Sequence, residues 1–196
     1  MKKAGIVLAA LLCAGLVCGG FYMIKNRADH PSGETKQLTQ VQNITMKDLE
    51  NHYPETPRAV VKLYNQIIMV YYGEKYTDQE FEQLAVQARL LMDDALLENN
   101  PMDQYKQAVR SEVANYKNRS RTIRQTDVCD SSEVQYLTDK NNGDQLAYVT
   151  ASYFVQEKDE FDKTYQKYVL RKDKNGRWKI LNYYQIKGDS SEQDEE

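Results

Sequence analysis

Tyr165-Gln-Lys-Tyr-Val-Leu-Arg-Lys-Asp-Lys-Asn-Gly-Arg-Trp-Lys-Ile-Leu-Asn-Tyr-Tyr-Gln-Ile186 decides the fold, because it holds two alternating runs joined by Lys174-Asn175-Gly176. Asn-Gly between alternating β-branched and aromatic residues is a strong hairpin signal, since both residues tolerate the positive φ of a tight turn. A three-residue loop with Gly176 in the left-handed position sets Leu170 opposite Ile180 and Tyr168 opposite Asn182, and leaves Lys172 beside Trp178. Trp178, Ile180, Leu170 and Tyr168 then share one face, with Val169 and Leu181 on the other. A two-residue Asn175-Gly176 loop would set Arg171 opposite Ile180 and mix polar with apolar residues on the core side, so the first register is expected.

Upstream of the hairpin the same alternation predicts strands over 120–128, 134–138 and 145–157, the last entered through the Asn141-Asn142-Gly143-Asp144 turn. The hairpin strands are expected at 165–173 and 177–187. Before residue 120 the period changes to that of helices. Thr45 caps an expected short helix over 46–51. Thr56-Pro57 opens a firmer one, in which Val60, Tyr64, Ile67, Ile68 and Tyr71 recur at helical spacing up to Gly73. Thr77-Asp78-Gln79-Glu80 is a capping box, and Phe81, Leu84, Ala85, Ala88, Leu91, Met92, Ala95 and Leu96 follow it as one continuous stripe. A second row, Val86, Leu90, Asp93 and Leu97, predicts burial of that helix on two sides. Asn99-Asn100-Pro101 stops it and opens another that runs to about residue 119 through Tyr105, Val109, Val113 and Tyr116. Helices followed by a run of strands indicate an α+β domain, with three main helices laid on a curved antiparallel sheet of four to five strands.

The chain has 196 residues, 41% hydrophobic and 28% charged, a composition that fits one globular domain. Its formal charge of −3 becomes +2 once the five acids of the tail over 188–196 are set aside, and such a balance leaves no footprint for nucleic acid. Lys106, Arg110, Lys117 and Arg119 on the last helix read as a solvated face. The acidic tail reads as a disordered end. Residues 4–24 carry no charge and match the roughly 20 residues that span a bilayer as a helix. The run ends in Phe21-Tyr22-Met23-Ile24 rather than small residues, which favours a retained anchor over a cleaved signal. With residues 1–3 cytoplasmic, the expected layout is a single-pass cell-membrane protein, a flexible linker over 25–44 and an extracytoplasmic domain over 45–187. Cys13 and Cys18 lie inside the apolar run, so Cys129 has no disulfide partner in the domain and reads as an inert, partly buried thiol.

Three helices, then a meander ending in Gly176-Arg177-Trp178-Lys179-Ile180-Leu181, resemble the nuclear-transport-factor-2-like superfamily over residues 57–186. Tyr53-Pro54-Glu55-Thr56-Pro57-Arg58 and Tyr168-Val169-Leu170-Arg171-Lys172-Asp173, with Gly176-Arg177-Trp178-Lys179-Ile180, are similar to a domain-of-unknown-function family of membrane-anchored bacterial proteins. The superfamily resemblance implies a cone whose bent sheet wraps its helices. It also implies pairing of copies through the exposed sheet face, and roles that range over enzymes, dimerising modules and secretion-machinery parts.

No metal-spaced cluster, glycine-rich phosphate loop or nucleophile elbow occurs in the chain, so no metal or cofactor is expected. In the superfamily's enzymes an acid and a tyrosine converge in the apolar cone. Asp93, which interrupts an apolar row, is the candidate acid, and Tyr148, Tyr168 and Trp178 are candidate pocket walls, within a wider set that includes Tyr153, Tyr165, Tyr183 and Tyr184. The competing readings are an ion-paired or edge-exposed Asp93 and aromatic residues that serve as cross-strand pairs. A non-enzymatic binding or assembly module is the leading expectation. The alternatives are a small-molecule isomerase or dehydratase, and a component of a secretion or conjugation channel.

Overall fold

Thr39 starts the first element of the computed structural model, which describes residues 38–188; the expected anchor, most of the linker and the acidic tail lie outside the described residues. Among the described residues no helix is long and apolar enough to cross a membrane. The Thr39 hydroxyl accepts from the Gln42 amide and the Gln42 side chain from the Thr39 amide, a capping box for helix α1, Gln40–Thr45. Val41 and Ile44 of α1 are buried, so the core takes in residues that the sequence pattern assigns to the linker. The helix expected over 46–51 is a turn instead. Asp48 accepts from the Glu50 and Asn51 amides at 3.2 and 3.1 Å, which competes with helix formation while Leu49 drops into the core.

Helix α2, Pro57–Gly73, begins as expected, with the Thr56 hydroxyl accepting from the Ala59 amide at 3.1 Å and proline in the first turn. The expected long third helix is two. Helix α3, Asp78–Leu90, ends where Leu91–Asp93 swings beside the hairpin: the Ile180 amide donates to the Leu91 carbonyl and the Asp93 amide to the Ile180 carbonyl, both at 2.8 Å. Asp93 then caps helix α4, Asp94–Asn99, by accepting from the Ala95 amide at 2.9 Å. A strand edge offers these groups partners, so the chain trades a turn of helix for a short bridge that covers part of the edge. The second row of the expected helix is consequently divided, with Asp93 buried and Leu97 partly buried beyond the break and the two residues before it exposed. Val86 is 48% and Leu90 37% exposed. Helix α5, Met102–Asn118, completes the helical half.

The five strands are β1, Arg121–Val128; β2, Gln135–Thr138; β3, Gln145–Glu157; β4, Glu160–Lys172; and β5, Trp178–Ile186. They form one antiparallel sheet in the order β1-β3-β4-β5, and β2 pairs with β3. β4 begins five residues earlier than the alternation predicts. Its added length pairs with β3 through a tight turn in which Lys158 takes a φ of 56°, and Phe154 stacks on Phe161 at 5.4 Å. At the other end Gly176 has a φ of 78°, and the Asp173 carboxylate accepts from the Asn175 and Arg177 amides at 2.8 Å. Leu170 faces Ile180 and Lys172 faces Trp178, as expected. Beyond Ile180 the register shifts: Leu181 is an extra residue, so Val169 faces Asn182 and Tyr168 faces Tyr183. That β-bulge, which bends the strand and moves every later side chain by one position, replaces the expected Tyr168–Asn182 pair.

On the inner face Ala147, Val149, Ala151, Leu170 and Ile180 pack with Val60, Val61, Leu84 and Leu91, all with 1% or less of their surface exposed. The result is a chain with helices followed by a five-stranded antiparallel sheet, and an aliphatic centre between the two.

Candidate functional site

Helical spacing on α2 puts Tyr64, Tyr71 and Tyr72 on the side that faces α5 and the sheet. On α5, Tyr105 and Tyr116 face back. The inner positions of β3, β4 and β5 contribute Tyr153, Tyr168 and, because of the bulge, Tyr183. Together these rings line a cavity of about 200 Å³, completed by Ile68, Val109, Ile123 and Val155 with Asn100, Glu112, Thr164 and Gln166. The rings touch one another. Tyr64 meets Tyr168 edge-on at 6.0 Å, Tyr168 lies 5.5 Å from Tyr183, and Tyr72 lies 4.4 Å from Tyr116.

At the inner end sits a buried polar triad. The Tyr153 hydroxyl donates to the Asn65 carbonyl oxygen at 2.7 Å and is hydrogen-bonded to the Tyr168 hydroxyl, which also lies 3.1 Å from the Gln166 amide oxygen. Each phenol has one proton, so with Tyr153 donating to Asn65, Tyr168 donates to Tyr153, to Gln166 or to the same Asn65 oxygen at 3.3 Å. Three further buried groups have no partner within hydrogen-bond geometry: the Asn65 amide nitrogen and the Tyr71 and Tyr105 hydroxyls, the latter two being neighbours of one another. None of the three has surface that a water could touch, so they stand behind the cavity wall rather than on it.

Burial raises the pKa of every one of these phenols that titrates abnormally, Tyr64, Tyr71, Tyr72, Tyr153 and Tyr168 among them, and pushes Tyr105 up to about 12. The wall is therefore uncharged at neutral pH and offers hydroxyls as donors and acceptors, not as bases. Among the described residues Glu112, exposed on α5, is the single charged side chain of the lining. Its carboxylate neighbours Tyr72, where, after burial, it is the largest influence holding the phenol protonated.

Of the four residues singled out from the sequence, the structure brings Tyr168 alone into this cavity. Asp93 lies elsewhere, 4% exposed, where it takes Arg171 in a two-pronged ion pair whose Nε–Oδ2 arm is 3.0 Å; Arg171 also reaches Asp144 at 3.2 Å. Tyr148 stands on the opposite face of β3 from the cavity, between Gln135 of β2 and Val169 of β4. Trp178 closes the turn end of the core, 5.8 Å from Tyr136, and its carbonyl accepts from the Tyr53 hydroxyl at 2.9 Å. From the wider tyrosine set, Tyr153 and Tyr183 join Tyr168, while Tyr165 and Tyr184 do not line the cavity. Cys129 is free and partly buried, and burial pushes its thiol up.

Sequence reasoning missed the helical contribution. The signal was present in the spacing of Tyr64, Tyr71 and Tyr72, and of Tyr105 and Tyr116, which repeats one polar-tipped aromatic along the buried side of each helix. Asn65 carried a fainter signal, as an amide inside an apolar helix stripe. No curated protein matches the chain. Its sequence does match a family model over residues 1–183, and the chain belongs to that family, described as Domain of unknown function (DUF6715).

Proposed function

We propose that this domain is a non-enzymatic binding module whose tyrosine-lined cavity holds a small ligand. In the same reading, an anchor over 4–24 and a linker hold a nuclear-transport-factor-2-like domain outside the cell membrane. The observation that carries the binding role is a preformed cavity of about 200 Å³ lined by eight tyrosines. That volume lies below the roughly 300–1,000 Å³ of drug-sized pockets and suits a headgroup or a small metabolite. Uncharged phenols hold a ligand by hydrogen bonds and ring contacts without supplying a base at neutral pH. The isomerase or dehydratase alternative draws its acid from Asp93, which is committed to Arg171 and to the cap of α4; the carboxylate that does line the cavity, Glu112, is exposed at its mouth. Pairing of two copies through the outer sheet face belongs to the same proposal, and a monomer in sedimentation of the purified chain would remove it.

The binding role is tested with the purified full chain and a mixture of small fragments in ligand-observed NMR. Ala108 lies at the exposed edge of the lining on α5, so Ala108→Trp blocks the mouth while leaving the core untouched. Saturation transfer to some fragments in the natural chain, lost in Ala108→Trp at an unchanged melting temperature, is the expected result. Hits that persist in the blocked variant, or none in either chain, overturn the proposal.

A further inference from the structure

Eight of the side chains lining the cavity are tyrosines, one is a carboxylate, and among the described residues none is a lysine, arginine or histidine. This composition carries a preference for sign of charge. Aromatic faces are the negative pole of the ring quadrupole, and in a desolvated site they attract a cation lying over them. The phenols themselves stay neutral, so among the lining side chains an anion would find no base to pair with. An uncharged ligand would use the hydroxyls and leave the field of the ring faces and of Glu112 unused. Two guanidinium groups are close, but neither lines the cavity: Arg89 lies 5.8 Å over Tyr105, with a nitrogen donating to the Asn100 carbonyl, and Arg121 lies 4.9 Å over Tyr116, facing Glu157 at 4.0 Å. These two rings already carry a cation, whereas among the described residues no cation lies over Tyr72 or Tyr183.

From this geometry, and resting on the binding role proposed above, we infer that the ligand is a small organic ammonium ion. Its cationic head lies at the mouth over the accessible rings of Tyr72 and Tyr183, beside the Glu112 carboxylate. Glu112 attracts the cation before it binds. A volume of about 200 Å³ has room for a choline-sized head.

The test compares choline with 3,3-dimethylbutan-1-ol, its uncharged carbon isostere, by calorimetry and NMR on the purified full chain. The two probes share shape and hydroxyl and differ in charge. Choline binding at least about tenfold tighter than the isostere, and lost in Ala108→Trp, is expected for a desolvated cation over aromatic rings. Glu112→Gln, on an exposed helix position, should weaken choline about two- to fivefold and leave the isostere unchanged. Equal or tighter binding of the isostere overturns the ammonium inference and leaves the binding role standing. Failure of both probes, with other fragments still displaced by Ala108→Trp, also overturns the inference alone. Failure of every fragment removes both readings.

Discussion

The two ends of the β4–β5 hairpin are built from the same pair of strands and make opposite interiors. Next to the loop, Leu170 and Ile180 pair across the strands and pack in the aliphatic core with Leu91, each with no exposed surface. Past the bulge at Leu181, Tyr168 pairs with Tyr183 and the interior becomes a hydroxyl-lined cavity. One inserted residue separates them. Without it Asn182 would face Tyr168, and Tyr183, which is 40% exposed at the rim, would turn to the outer face. The contrast shows how a small domain divides its interior: saturated side chains close-pack and supply stability, while rings with polar tips leave room and unmatched hydrogen bonds.

Alkali should break the tyrosine end first and with the largest effect. Tyr64, Tyr71, Tyr105, Tyr153 and Tyr168 all have folded-state pKa values raised above the ordinary value near 10. Above pH 10 the unfolded chain releases phenolic protons that the folded chain keeps, so stability that is complete below pH 10 falls as pH rises. The loss approaches about 1.4 kcal/mol per pH unit for each buried phenol. By pH 11 the combined effect rivals the ~5–15 kcal/mol margin of a typical domain. Phenolate absorbance and loss of circular dichroism should therefore rise together; phenolate formation from these groups well before unfolding would contradict their burial.

At the aliphatic end Leu91→Ala should cost about 2–5 kcal/mol in urea denaturation at neutral pH, the range for a truncated core leucine. A cost below about 1 kcal/mol would mean that the segment joining α3 to α4 is not part of the core. Asp93→Ala should cost about 2 kcal/mol, since it removes both the cap of α4 and the partner of Arg171, which keeps Asp144. Asp93→Asn preserves the cap and should recover about half of that loss.

The smallest effects sharpen the comparison within the tyrosine end. Tyr153→Phe breaks the triad with Asn65 and should cost about 1–2 kcal/mol. Tyr71→Phe removes a hydroxyl that has no partner and should be neutral or stabilising by up to about 1 kcal/mol. A Tyr71→Phe chain as destabilised as Tyr153→Phe would show that the hydroxyl pairs with its neighbour Tyr105.

Local rules made much of this molecule legible from its residues. Thr56-Pro57 and Thr77 with Glu80 start helices where their side chains can satisfy free amides, and Gly176 takes the left-handed position that its loop requires. Alternation placed β3 and the loop-side half of the closing hairpin, because the period of two depends on the strand alone. What residues distant in sequence offer one another was not legible. The break after Leu90 exists because the edge of Ile180 lies beside it, the shift at Leu181 because of the surface it packs on, and the cavity because three helical and sheet tyrosine sets meet across the interior. Asp93 shows the difference most sharply. As a sequence feature it is an acid in an apolar row, and its partner Arg171 stands 78 positions away, where tertiary packing alone could bring the two charges together.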